Sequence, residues 1–184
     1  MDMEAVEEIK NYQQAILFML KQSSLKKELT IPLILEYHSL AMHHRTEIAG
    51  IIRTVSVHIK GNPHFKTAPP EKITPELIEL LKKHQTFSLK KHALKEILDF
   101  SAYFHNQFQY IHPFIDGNSR ISRLLTFHLL HNFNIPVLDI PLGLLDTYLS
   151  NTKGHKQRED QHLSRNLQEI ILFNLKKINQ KLAS

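Results

Sequence analysis

His112, Asp116, Arg120 and Arg123 stand within the run HPFIDGNSRISR, which places a base, a metal ligand and two fixed cations side by side. An imidazole with an ordinary pKa of about 6.5 can take a proton from a hydroxyl near neutral pH. Asp116 offers a hard oxygen suited to Mg²⁺, an ion that keeps most of its positions for water and phosphate oxygens. Gly117 and Asn118 form a loop that can bend sharply and turn backbone N–H groups outward. A helical pattern follows through Leu124, Leu125, His128 and Leu129, so the loop ends at a helix N-terminus, where exposed N–H groups and the helix dipole favour an anion. Arg120 and Arg123 share one face of that first turn and can grip successive phosphates. Together these groups describe transfer of part of a nucleotide to an alcohol or phenol.

The elements that must position them are helical. Val6, Ile9, Tyr12, Ile16 and Met19 recur at threes and fours and predict an amphipathic helix as far as about Lys21. Thr30 is placed to cap a second helix, with Pro32 in its first turn and Ile34, Leu35, His38, Leu40 and Met42 following. Between Gly50 and Pro70, the alternation of Val55, Val57 and Ile59, then Gly61-Asn62-Pro63, predicts a short β-hairpin with an irregular tip. Thr74-Pro75-Glu76 has the form of a helix start, leading through Leu81. Ser88 is expected to open a long helix whose stripe of Leu89, Ala93, Ile97, Phe100, Phe104, Phe108 and Ile111 buries it and delivers His112 to the centre. A largely apolar helix is expected over 119–132, a turn over 135–141, shorter helical material over 144–150, a polar linker over 151–160 and a last helix carrying Leu163, Leu167, Ile170, Ile171 and Leu175. The fold class predicted is all-α, with a small hairpin flap.

Composition narrows the rest. A chain of 184 residues is one domain by the usual prior of about 100–200 residues per domain, with a core over about 31–148 and flanking helices at 4–21 and 160–182 packed on it. With no cysteine there is no disulfide framework and no thiolate metal site; together with the absence of a signal-peptide pattern this predicts a cytoplasmic protein and no membrane partner. The net charge of +5 is spread through helices mixed with glutamate, with no nucleic-acid motif, so a nucleic-acid partner is not expected. His38, His43, His44, His58, His64, His105 and His155 lack the paired spacing with a carboxylate that a metal cluster needs.

The run from His112 to Arg123 resembles the signature of the Fic family, commonly written H-x-F-x-D/E-G-N-G/K-R-x-x-R. His112, Phe114, Asp116, Gly117, Asn118, Arg120 and Arg123 all match, and Ser119 departs. The likeness extends to His38, to Ala49-Gly50-Ile51-Ile52-Arg53, to the flap-like run up to Pro70 and to His105. It implies a protein adenylyltransferase using ATP and Mg²⁺, which in this family can also reverse the reaction and remove AMP. On that resemblance His112 deprotonates a Ser, Thr or Tyr hydroxyl of a target protein, Asp116 holds Mg²⁺, and Gly117, Asn118 and Ser119 lie at the phosphates. Arg120 serves the α- and β-phosphates and Arg123 the γ-phosphate. The flap residues Thr54, Val55, Ser56, Val57, His58 and Ile59 dock the target by main-chain pairing, and Tyr148 lies near the adenine.

Two departures qualify the implication. Ser119 adds a side chain where backbone should approach phosphate closely; it either crowds the nucleotide or adds a hydrogen bond. If it blunts turnover, the chain is instead a nucleotide-binding regulatory homologue. The S/T-x-x-x-E-G/N inhibitory pattern of many relatives is not matched, since Ser24 to Glu28 is followed by Leu29. The chain is then unrestrained, controlled by a separate inhibitory partner, or a piece of a longer protein.

Overall fold

A computed structural model describes residues 3–59, 62, 64–136, 140, 142–153 and 159–182. Among them lie seven helices: α1 (Met3–Ser24), α2 (Ile31–Ala41), α3 (Pro70–Ser88), α4 (Leu94–Ile111), α5 (Asn118–Asn132), α6 (Leu142–Lys153) and α7 (Asp160–Leu182). None is long and apolar enough to cross a membrane.

α5 is buried along most of its length, with Ile121, Leu124, Leu125, Leu129 and Leu130 all shielded from solvent. It lies between α1 and α2 on one side and α4 on the other; α3 and α7 flank α4, and α6 rests on α7. A helix enclosed in this way must satisfy its polar side chains internally. Ser122, Thr126 and His128 do so: Ser122 donates to the Ser119 carbonyl, Thr126 to the Ser122 carbonyl, and His128 Nε2 to the Lys27 carbonyl at 2.7 Å. Because that carbonyl only accepts, His128 Nδ1 is the acceptor for the Tyr37 hydroxyl at 2.7 Å.

Several elements begin where their residues predict. Thr30 is the N-cap of α2, its hydroxyl accepting the Leu33 N–H, and Pro32 fits the first turn. Three expectations are corrected. α3 starts at Pro70 rather than at Thr74, because Pro69-Pro70 already supplies the extended residue and the pre-set φ of a first helical position; Pro75 is carried inside the helix. Ser88 closes α3 instead of opening α4: its hydroxyl reaches back to His84 Nε2, Leu89 is 80% exposed, and α4 begins after Ala93, whose N–H donates to Glu96 Oε2 at 2.7 Å. α6 is longer than 144–150 at both ends, and its last turn takes in the start of the expected linker.

The predicted β-hairpin has no ladder among the described residues, where 51–59 and 65–69 carry no strand pairing and Val55 lies at a bend. Its tip residues Gly61 and Pro63 lie outside the described set, as do 137–139 and Pro141 of the expected turn and 154–158 of the linker. The two arms are clipped through side chains instead. Thr67 Oγ1 donates to the Val57 carbonyl at 3.2 Å, and the Arg53 guanidinium donates to the carbonyls of Val55 on one arm and Ala68 on the other, at 2.7 and 2.6 Å.

Candidate active site

α4 ends at His112, a non-glycine residue in the left-handed region (φ 49°, ψ 60°) whose N–H still donates to the Phe108 carbonyl. Such a conformation costs of order 1 kcal/mol or more and needs support. Arg53 supplies it. Only 2% exposed, it donates through Nε to the His112 carbonyl at 2.6 Å and through Nη2 to the Ile111 carbonyl, so a cation sits on the last carbonyls of α4, while its own N–H bonds the Pro113 carbonyl. The ring of His112 donates from Nδ1 to the Gln109 carbonyl at 3.2 Å. A carbonyl only accepts, so the neutral ring carries its proton on Nδ1 and its basic lone pair on Nε2.

The loop from Pro113 to Gly117 is tied from within. Asn118 closes it, accepting the Phe114 N–H at 3.0 Å and donating to the Phe114 carbonyl at 2.8 Å. Both ends of that amide are thus spent on the loop, which gives Asn118 a structural task whatever it does at phosphates. His38 holds the other side: it stacks on Phe114 with ring centres 3.7 Å apart, donates from Nε2 to the Asp116 carbonyl at 3.0 Å and accepts the Gly50 N–H at Nδ1. Burial pushes the His38 imidazole down to about 4, so the ring is neutral and this donor arrangement holds at neutral pH. Gly117 has φ 78°, and a Cβ there would meet Met42 Sδ at 3.0 Å and His38 Nε2 at 3.2 Å. Only glycine fits both the conformation and the space.

Arg45, His58, His112, Asp116, Ser119 and Arg120 line one cleft of about 480 Å³, together with Gly117 and Asn118 at the N-terminus of α5. The imidazole expected as base, the carboxylate, the helix start and the first arginine are therefore brought together, with His58 and Ile59 of the flap on the wall. Asp116 Oδ1 accepts the Gly117 N–H at 2.6 Å, Oδ2 accepts Arg45 Nη1 at 3.0 Å, and Arg120 Nη2 lies 3.7 Å from Oδ1. Arg120 also pairs with Glu8 of α1.

Six expected residues stand outside this cleft lining: Thr54, Val55, Ser56 and Val57 of the flap, Arg123 and Tyr148. Arg123 lies with its guanidinium 5.9 Å from the centre of the Tyr12 ring, under α1. Tyr148 is buried in the core, edge-on to His105 with ring centres 6.2 Å apart. Conversely Arg45, Glu8 and Gln109 were not picked out in the sequence; Gln109, 2% exposed, donates to Ser122 Oγ and the Asn118 carbonyl and so joins α4 to α5 below the loop. Arg45 and Glu8 carry no local signal, because each acts on a residue more than seventy positions away.

The donor set fits a weakly coordinated divalent ion. Asp116 is a single half-exposed carboxylate whose Oδ2 already faces a cation, and no group of three or more histidine, aspartate or glutamate side chains able to hold a metal occurs among the described residues. An ion there would take most of its ligands from water and phosphate, as Mg²⁺ does.

The sequence profile of the Fic/DOC family matches residues 28–130, which span the cleft, its flap and α5. The chain belongs to the Fic/DOC family. Among its Fic relatives, the proteins named protein adenylyltransferase Fic from Drosophila persimilis and Drosophila grimshawi are 34% and 33% identical over 118 and 117 residues. Those alignments cover 63% of this chain but only 22% and 23% of the relatives, so the chain spans less than a quarter of their length. In fold it is similar to Fic-1 of C. elegans (TM-score 0.74, 20% identity, 98% of this chain and 54% of that one). It is also similar to BepC of Bartonella tribocorum, solved with bound AMPPNP (TM-score 0.55, 20% identity, 85% of each chain).

Proposed function

We propose that this Fic chain is a protein adenylyltransferase, moving AMP from ATP to a Ser, Thr or Tyr hydroxyl of a target protein. The observation that carries the proposal is His112, which lines the same cleft as Asp116 and the start of α5 and whose ring is held by the Gln109 carbonyl so that Nε2 is its basic nitrogen. Nε2 takes the hydroxyl proton as the hydroxyl oxygen bonds to the α-phosphorus; the bond from that phosphorus to the oxygen bridging the β-phosphate breaks, and pyrophosphate leaves. The N–H groups at the start of α5 and the Arg120 guanidinium receive the phosphate charge. Asp116 would hold Mg²⁺, which when bound offsets the charge of the polyphosphate. The names of the Drosophila relatives support the activity, and the AMPPNP bound to BepC supports an adenine nucleotide as donor. The flap, with His58 and Ile59 on the cleft wall, is where a target segment would approach.

A second proposal, a nucleotide-binding regulator with little turnover, is favoured by Ser119 on the cleft wall and by the engagement of Asp116 and Arg120 with Arg45 and Glu8. ATP labelled at the α-phosphate, incubated with the protein, Mg²⁺ and a cell lysate, tests the two together with a γ-labelled control. Label on protein from the α-position alone is the expected result. Label from the γ-position would make the chain a phosphotransferase, and nucleotide binding with no label on protein would leave the regulator.

A further inference from the structure

Arg45 is a charged residue of the cleft to which neither the base, the phosphate cradle nor the target assigns a task. It lies in the turn after α2, where its N–H donates to the Met42 carbonyl at 2.7 Å and its carbonyl accepts the N–H groups of Ile48 and Ala49. Its guanidinium is held at two points: Nη1 on Asp116 Oδ2 at 3.0 Å and Nε on Glu47 Oε1 at 3.1 Å. The carboxylate it meets is the less mobile partner. Turning Asp116 away from Arg45 would also pull Oδ1 from the Gly117 N–H, and the Asp116 carbonyl is fixed by His38.

We propose that Arg45 is an internal competitor for the metal position at Asp116, its guanidinium and a divalent cation taking the Oδ2 oxygen in turn. The proposal rests on the assignment of Asp116 as the metal ligand. Two cations on one carboxylate oxygen repel each other strongly, so one of them has to leave. Arg45 is the partner able to do so, since its side chain is long and 37% exposed and Glu47 offers it a second carboxylate outside the cleft. While it is seated on Asp116 the carboxylate keeps a counter-charge that a triphosphate would otherwise meet as a bare negative group. The cost falls on metal affinity: whatever free energy the pair holds is subtracted from metal binding. An ion pair this exposed makes that subtraction small, about two- to fivefold in affinity.

The test is Mn²⁺ binding to the full chain without nucleotide, followed by the loss of the free-ion electron paramagnetic resonance signal, for the parent, Arg45→Gln, Arg45→Lys and Asp116→Asn. Arg45→Gln should bind Mn²⁺ about two- to fivefold more tightly and Arg45→Lys should fall between it and the parent, because an ammonium keeps the charge but loses the two-point fork. Asp116→Asn should lose the site. Equal Mn²⁺ affinity in the parent and Arg45→Gln, with binding lost in Asp116→Asn, would overturn the role of Arg45 alone. Unchanged binding in Asp116→Asn would overturn the metal assignment and the proposal with it. A calorimetric titration of ATP at saturating Mg²⁺ closes the remaining route: weaker binding by Arg45→Gln would make Arg45 a phosphate ligand and overturn the competition.

Discussion

At the scale of single residues, the backbone and the tautomer of His112, the proposed base, are set by two neighbours. Arg53 stabilises its left-handed backbone and Gln109 selects its tautomer, so the chemistry of one imidazole depends on two carbonyl contacts. His112→Ala should therefore lower transfer by about 10²–10⁴ while leaving ATP affinity within a few-fold, since base removal acts on the chemical step. Calorimetry beside a labelling assay measures both, and full labelling by the variant would remove His112 from the base role. Ser119→Gly should raise the transfer rate, because a side chain on the cleft wall is removed where backbone should approach phosphate; a gain of roughly 1.4 kcal/mol is about tenfold. A fall in ATP affinity instead would show that the Ser119 hydroxyl bonds a phosphate. Glu8→Gln tests the opposite side of the cleft: the carboxylate now on Arg120 competes with phosphate, so its loss should tighten ATP binding about two- to fivefold. The signature residues were legible because their types and spacing state their chemistry. Arg45 and Glu8 were not, because a long-range ion pair leaves no periodic trace.

At the scale of elements, what could be read locally was read and what depended on distant contacts was not. The cap at Thr30 and the stripe from Ile97 to Ile111 are local and lie where their residues predict, whereas Leu89 and Ala93, expected at the start of that stripe, precede α4, Leu89 standing 80% exposed. The α3 boundaries were misplaced since a cap-like Thr74-Pro75-Glu76 lies inside a helix already begun at Pro70, and Ser88 has equal local claims to start a helix and to end one. Alternating Val55, Val57 and Ile59 suggested a ladder, yet the segment is fastened by Arg53 and Thr67. Sequence marks Arg53 as part of the family-like run but cannot say that it is a clip. Its removal should be severe: Arg53→Ala strips donors from the carbonyls of Val55, Ala68, Ile111 and His112, and each buried carbonyl left unpaired costs about 1–3 kcal/mol. The loss should exceed about 3 kcal/mol by that reckoning. Urea unfolding reads it directly, and a stability close to the parent's would mean that water replaces the guanidinium.

At the scale of the whole molecule, two buried histidines far from the cleft tie stability to pH. His84 lies 5.8 and 6.4 Å from the ring centres of Phe104 and Phe100, and His128 is enclosed between α2 and α5. Burial pushes both down to about 4; the neighbouring His128 adds to the effect on His84, whereas the Lys27 carbonyl works against it at His128 and His131 adds to it. In the unfolded chain both return to the ordinary value of about 6.5, so below that pH the unfolded state binds more protons than the folded one. The stability they contribute is fully present above about pH 6.5 and is lost as pH falls through about 4, with roughly 2 kcal/mol gone per residue at about pH 5. Against a total of about 5–15 kcal/mol, this places acid unfolding well above the range where carboxylates alone would cause it. Urea midpoints taken from pH 7.5 down to 4.5 should fall steadily, and His84→Leu, which puts an apolar side chain among the same phenylalanines, should lower the slope by about a third, since His38 and His128 carry the same titration. A flat profile between pH 7 and 5 would mean that these imidazoles reach water in the folded protein, and an unchanged slope in His84→Leu would move the titration to other groups.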